Sequence, residues 1–243
     1  MKAMILAAGL GTRLKPITDK IPKALTSLYG KPLIEFIIRR LIQCGVNEII
    51  INVHHHAQQI IDFVKSQNDF NIRIEFSHES VLLDTGGGLK KASWFFSDKH
   101  PFILHNVDVL SDINFHKMIS FHKTNKASVT LAVRSRKTSR FLLFDENDRF
   151  LGWKNKETVK TIGNKSKILN PFSFMGIHII SPGIFSHMPE MNTFSIIDLY
   201  LRITQMEHII QAFHADQYFW FDLGKLKNIK EATQYLARIK YKI

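Results

Sequence analysis

An alternation constrains this chain more than any other feature. Short apolar runs are separated by longer stretches whose apolar residues recur at helical spacing. The runs AMILAA (3–8), EIIINV (48–53), IRIEFS (72–77), FILHNV (102–107) and SVTLAV (128–133) read as strands. Between them, LIEFIIRRLIQCG (33–45), HAQQIIDFVKSQ (56–67), GGLKKASWFFS (87–97) and FHKMISFHKTN (115–125) read as helices. A strand that is apolar at consecutive positions must be covered on both faces, which calls for helices on both sides of a parallel sheet. The expected fold is α/β: a Rossmann-like, mixed and mostly parallel sheet flanked by helices. Beyond about residue 135 the pattern changes. FLLFDENDRFLGW (141–153) reads as a hairpin turning at Asp145–Asp148, and FSFMGIHIIS (172–181) as a strand. SIIDLYLRITQ (195–205), HIIQAFHA (208–215) and LKNIKEATQYLARIK (226–240) read as helix, strand and closing helix. No long linker or repeat interrupts the 243 residues, so one domain over 1–243 is expected.

In open sheets of this kind ligands sit beyond the carboxyl ends of the strands. Three unusual segments fall at such places: 8–15, the Asp84–Gly88 stretch, and the turn at Asn106–Asp108. The first is the most informative. It is not a dinucleotide fingerprint, because Leu14 stands where a third glycine belongs, and no window matches a P-loop. Ala7, Ala8, Gly9 and Gly11, directly after Leu6, let a ligand approach the backbone, whose N–H groups form an anion-binding concavity. Thr12 adds a hydroxyl, Arg13 a guanidinium fork for phosphate oxygens, and Lys23 a point charge.

Composition narrows the alternatives. Lysine and arginine total 33 against 21 acidic residues, a formal charge of +12. The basic residues are dispersed, which fits a solvated surface or a cleft for phosphorylated small molecules better than a nucleic-acid face. The single cysteine, Cys44, excludes an internal disulfide and suits a reducing compartment. No apolar run approaches the ~20 residues of a membrane span, and the apolar start is too short for a signal peptide. A cytoplasmic protein with no membrane partner is expected, and self-association is left open. The histidines at 54–56 are consecutive and point different ways, a poor arrangement for a metal.

The stretch LAAGLGTRLKPITDKIPKAL (6–25) resembles the signature of the sugar-1-phosphate nucleotidylyltransferases, L-A-A-G-x-G-T-R-L-x-P-x-T followed by P-K-A or P-K-P. Later segments agree in order. LLDTGGGLKKA is similar to the family's base-binding loop, HNVDVL to its N-x-D metal turn, and WFDLGKLKNIKEA to its W-x-D-x-G-T. The chain looks most like the compact branch, which includes enzymes similar to mannose-1-phosphate guanylyltransferase and N-acetylmuramate-1-phosphate uridylyltransferase. The resemblance implies a nucleotide-diphospho-sugar transferase fold, with 1–135 as a nucleotide-binding half and 136–243 as a sugar-binding and closing half. It implies Mg²⁺-dependent joining of a nucleoside triphosphate to a sugar 1-phosphate, serving nucleotide-sugar and cell-envelope polysaccharide synthesis.

By the same resemblance Arg13 and Lys23 are catalytic, and Asp108 and Asp222 hold the metal. Leu6, Ala7, Ala8, Gly9, Gly11, Thr12, Arg13, Thr85, Gly86 and Gly87 bind the nucleotide, and Asn106, Asn170 and Gly176 the sugar. Two positions depart from the pattern: Val107 replaces the usual glycine or serine, and Lys225 the usual threonine. The lysine that many relatives place before the sugar-binding strand has no clear counterpart, Lys154 and Lys156 being nearest. Two other functions stay open. One is a cytidylyltransferase for an alcohol phosphate such as phosphocholine, which needs aromatics like Trp153 and Trp220 around a quaternary ammonium. The other is a non-catalytic nucleotide-binding protein.

Overall fold

The computed structural model describes residues 1–162, 169–189 and 193–241. The first half alternates as the sequence predicts. β1 (Lys2–Leu6) leads through three short 3₁₀ turns to the small hairpin β2 (Ser27–Leu28) and β3 (Lys31–Pro32), then α1 (Leu33–Gln43). β4 (Glu48–Val53), α2 (Ala57–Ser66), β5 (Arg73–His78), α3 (Asp84–Lys91), β6 (Phe102–Asn106), β7 (Val109–Ser111), α4 (Phe115–Thr124) and β8 (Val129–Arg134) follow. The second half adds β9 (Phe141–Phe144), β10 (Phe150–Lys154), β11 (Val159–Thr161), β12 (Asn170–Ile180), α5 (Ile196–Gln205), β13 (Ile210–His214), β14 (Trp220–Asp222) and α6 (Leu226–Arg238).

One ten-stranded sheet joins the halves. β5, β4, β1 and β6 are neighbours and run parallel. β12 lies antiparallel between β6 and β8, and β13 runs parallel to β8. The amino-terminal part of β12 turns aside to pair with β9, which carries β10 and β11 as an antiparallel extension. β7 and β14 form a separate antiparallel pair.

Alternation along the central strands builds two cores. Ala3 and Ile5 of β1 and Ile103 of β6 pack on one face with the α1 stripe Ile34, Ile37, Ile38 and Leu41. Met4, Phe102 and Leu104 face the other way, toward Leu89 of α3 and Ile196, Leu199, Tyr200 and Ile203 of α5. The strand period of two and the helix period near 3.6 account for both sets. A third cluster bears on the site: Leu14 of the first loop is fully buried against Leu110, Leu223 and the α6 stripe Ile229, Ala232 and Leu236. No helix among the described residues is long and apolar enough to cross a membrane.

The structure corrects two readings. The helix expected over 87–97 is α3 at Asp84–Lys91 followed by a 3₁₀ turn at Ser93–Phe96. The segment Asp84–Gly88, expected as a loop, is therefore the opening of that helix. β7, β11 and β14 were not legible, because three residues carry too little periodicity to register.

Candidate active site

The site lies at the carboxyl ends of β1, β4 and β6, where a cavity of about 400 Å³ opens. Among the residues singled out from the sequence, Leu6, Ala8, Gly9, Lys23, Thr85, Asn106 and Asp108 line it. Gly11 sets the shape of the first loop. It adopts φ 66, where a side chain would be strained, and a Cβ there would lie 2.8 Å from Thr18 Cγ2. The Thr18 hydroxyl donates to the Gly11 carbonyl at 2.9 Å. The 3₁₀ turn Thr12–Leu14 follows, and burial of Leu14 leaves Arg13 reaching outward with its side chain 55% exposed.

Two carboxylates meet that guanidinium. Asp108 sits in the turn between β6 and β7, and Asp222 at the end of β14, opposite Val109. Pairing of β7 with β14 thus brings two distant parts of the chain together. The Leu223 N–H donates to the Asp108 carbonyl at 2.7 Å and fastens the junction. Arg13 Nη2 is 3.9 Å from Asp108 Oδ2, and Nη1 is 4.0 Å from Asp222 Oδ2. Lys23, only 11% exposed in the turn after Pro22, ion-pairs with the Asp108 carboxylate. Gly224 leaves room for this arrangement, since a Cβ there would lie 2.5 Å from Arg13 Nη2. Asp222 Oδ1 accepts from the Gly224 N–H at 2.9 Å, which leaves Oδ2 toward Arg13.

Both Oδ2 atoms converge on one guanidinium, so the carboxylates face a common space. Two carboxylates with room for phosphate oxygens and water suit a hard divalent cation such as Mg²⁺. No group of three or more histidine, cysteine or acidic side chains that could hold a metal occurs among the described residues. A metal here would complete its shell from the substrates.

A buried relay, not visible in the sequence, joins the two walls of the cavity. The Ala7 N–H donates to Asn52 Oδ1 at 2.7 Å, and Asn52 Nδ2 donates to Glu79 Oε1 at 2.7 Å. Glu79 Oε2 accepts from the Leu83 N–H at 3.0 Å. Asn52 is 3% and Glu79 1% exposed. The relay ties the first loop to the residue that precedes α3.

Gly86 and Gly88 of α3 are packing positions. A Cβ on Gly86 would overlap the Phe194 ring, and one on Gly88 would lie 2.6 Å from Glu79 Oε1. The N–H groups of Gly86 and Gly87 both donate to the Phe194 carbonyl, at 3.0 and 3.3 Å. Thr85 Oγ1 accepts from the Ile196 N–H at 3.0 Å, and the Thr193 hydroxyl donates to the Leu82 carbonyl at 3.2 Å. Segment 193–196 of the second half therefore seals the start of α3.

On β12, beside β6, Gly176 adopts φ 79, and a Cβ there would lie 3.0 Å from Asn106 Nδ2. Phe174, two residues earlier on β12, lines a second cavity of about 450 Å³ together with Arg140, Trp153, Asn155, Lys160 and Asp198. Asn170 is elsewhere: its side chain donates to the Asp145 carbonyl at 3.3 Å, at the β9–β10 turn, and it lines neither cavity. Lys154 Nζ lies 5.4 Å from the Phe141 ring centroid. Behind the site His105 Nδ1 donates to the Asn106 carbonyl at 2.8 Å, and burial holds this histidine near 4.

Comparison with known proteins places this geometry. Mannose-1-phosphate guanyltransferase of Hypocrea jecorina is 30% identical over 243 residues, covering 96% of this chain and 63% of that protein. UTP–glucose-1-phosphate uridylyltransferase of Synechocystis is 29% identical over 252 residues, with the same two coverages. The chain thus spans just under two thirds of the length of these relatives. Among solved structures, HddC from Yersinia pseudotuberculosis complexed with GMP-PN superimposes with a TM-score of 0.78 at 24% identity, over 97% of this chain and 99% of that one. A putative glucose-1-phosphate thymidylyltransferase from Bacillus anthracis gives 0.83 at 18% identity, over 100% and 98%. At those identities the two structures establish the fold. The family profile described as nucleotidyl transferase matches residues 2–238, and the chain belongs to that family.

Proposed function

We propose that the protein transfers a nucleotidyl group from a nucleoside triphosphate to a sugar 1-phosphate, with Mg²⁺, releasing pyrophosphate. The observation that carries this reading is the convergence of Arg13 and Asp222 on Lys23 and Asp108, which line the cavity. The triphosphate lies along the first loop, and the base toward Thr85 and the start of α3, whose own N–H groups at Gly86 and Gly87 are already engaged. The sugar lies beside Asn106 and Gly176, which pack closely together, and extends toward the second cavity, whose mixed aromatic and polar lining suits a carbohydrate. Residues 1–135 then serve the nucleotide and 136–243 the acceptor.

The chemistry needs no protein nucleophile. A phosphate oxygen of the sugar attacks the α-phosphorus, the new P–O bond forms, and the bond to the β-phosphate oxygen breaks. Mg²⁺ held by Asp108 and Asp222 would neutralise phosphate charge and help align the two substrates. Arg13 binds the triphosphate and stabilises charge on the departing pyrophosphate. Lys23, which ion-pairs with Asp108 at the cavity, draws the two phosphates together.

The phosphocholine alternative is disfavoured by the tryptophans. Lys160 Nζ already lies 5.9 Å from the Trp153 ring centroid, and Arg136 4.5 Å from that of Trp220. Each of these two rings thus already has a cation over it. The test is pyrophosphate release with each common nucleoside triphosphate, GTP and UTP first, against a panel of sugar 1-phosphates and phosphocholine. Release should require one triphosphate and one sugar phosphate together. Asp108→Asn should lower kcat by about 100-fold or more. Triphosphate binding without release for any pair would favour the non-catalytic reading.

A further inference from the structure

Of the two cationic side chains described so far, Arg13 serves the triphosphate and Lys23 is shared between the two phosphates. Arg13 and Lys23 lie against Asp108 and Asp222. A sugar 1-phosphate brings roughly two further negative charges. The acceptor side therefore calls for a cation of its own, and one is built there. Arg136 follows β8, and its Nε donates at 2.7 Å to the hydroxyl of Ser173, which is 1% exposed on β12. The guanidinium lies over the Trp220 ring at 4.5 Å from the centroid. Trp220 is fixed in turn, its Nε1–H donating to the Met175 carbonyl at 2.8 Å.

These contacts set where the guanidinium points. Trp220 and Asp222 are two residues apart on β14, so their side chains share a face. Ser173 and Met175 lie on the strand that brings Gly176 against Asn106. Arg136 feels the Asp222 charge but makes no ion pair among the described residues, and its Nη groups have no protein acceptor there. Arg134 lies 6.0 Å from the same ring and adds positive charge nearby. A planar fork held by one hydrogen bond and one stacking contact, with its remaining donors free, is arranged to grip two oxygens of a tetrahedral anion.

We propose that Arg136 binds the phosphate of the sugar 1-phosphate, oriented by Ser173 and Trp220, and sets it beside Asp222 for attack. This assignment rests on the function proposed above and adds a substrate-binding residue that the sequence motifs did not mark. The experiment is steady-state kinetics with both KM values measured separately in the wild type, Arg136→Ala and Arg136→Lys. Arg136 is an exposed residue, so the variants should fold. Arg136→Ala should raise the KM for the sugar phosphate about tenfold or more while the triphosphate KM moves less than about twofold. Arg136→Lys should fall between, since it restores charge without the fork or the stacking. A sugar-phosphate KM unchanged in Arg136→Ala, or one that rises in step with the triphosphate KM, overturns the assignment. A wild type that turns over no pair removes the underlying function instead, so the two failures are distinguishable.

Discussion

Several residues of this site matter through what they hold in place. Glu79 makes the point. It is buried, no ion pair compensates it among the described residues, and both its oxygens are occupied by Asn52 and Leu83. An amide in its place could accept from only one of those donors, leaving the other unsatisfied at a cost of about 1–3 kcal/mol. Glu79→Gln should therefore loosen the first loop and the α3 entry together. The expected result is a triphosphate KM raised about tenfold with a smaller change for the sugar phosphate, measured by initial rates. The first loop pointed to Arg13 and Lys23, and the family resemblance to Asp108 and Asp222. Neither pointed to Asn52, Glu79 or Arg136, because a polar residue near a strand end looks the same whether it faces water or completes a buried relay.

At the scale of elements, the start of α3 is where the two halves meet. Three consecutive glycines suggested a backbone loop for a base. They open a helix, in which Gly86 and Gly88 let Phe194 and Glu79 approach closely. Gly86→Ala should drive a methyl into Phe194 and detach segment 193–196 from the helix. We expect a loss of about 1–3 kcal/mol of stability, read as a lower denaturation midpoint, with sugar-phosphate KM affected as well because Ser195 lies in that segment and Asp198 just beyond it, both lining the second cavity. The β7–β14 pair acts similarly for the carboxylates. Its strands are three residues each, yet their register fixes Asp222 across from Val109, beside the Asp108 turn. α6 secures the arrangement from outside by burying Leu14 next to Arg13.

Across the whole molecule, stability should depend on pH through buried histidines. Burial holds His105 and His122 near 4 and His178 near 3. His122 is bonded to Thr130 and Ser181, and His178 to the Tyr200 hydroxyl. The unfolded chain would protonate all three near 6.5, so between about pH 6.5 and 4 it binds more protons than the folded state, and stability falls on acidification. Below the folded values no further loss comes from these groups. Thermal midpoints measured from pH 7.5 to 4 should decline over that window, and His178→Gln should flatten the dependence. A midpoint that rises as the pH falls would contradict the neutral buried histidines. What the sequence determined by itself was the periodicity of the main strands and helices, hence the sheet and its two cores, and the chemistry of the first loop. Those are local properties: apolar spacing and backbone freedom are written in consecutive residues. What only the tertiary structure decided was which distant groups share a space. Asp222 beside Asp108, Arg136 over Trp220, and Asn170 turned to the β9–β10 hairpin follow from strand pairing and packing, which no run of neighbouring residues encodes.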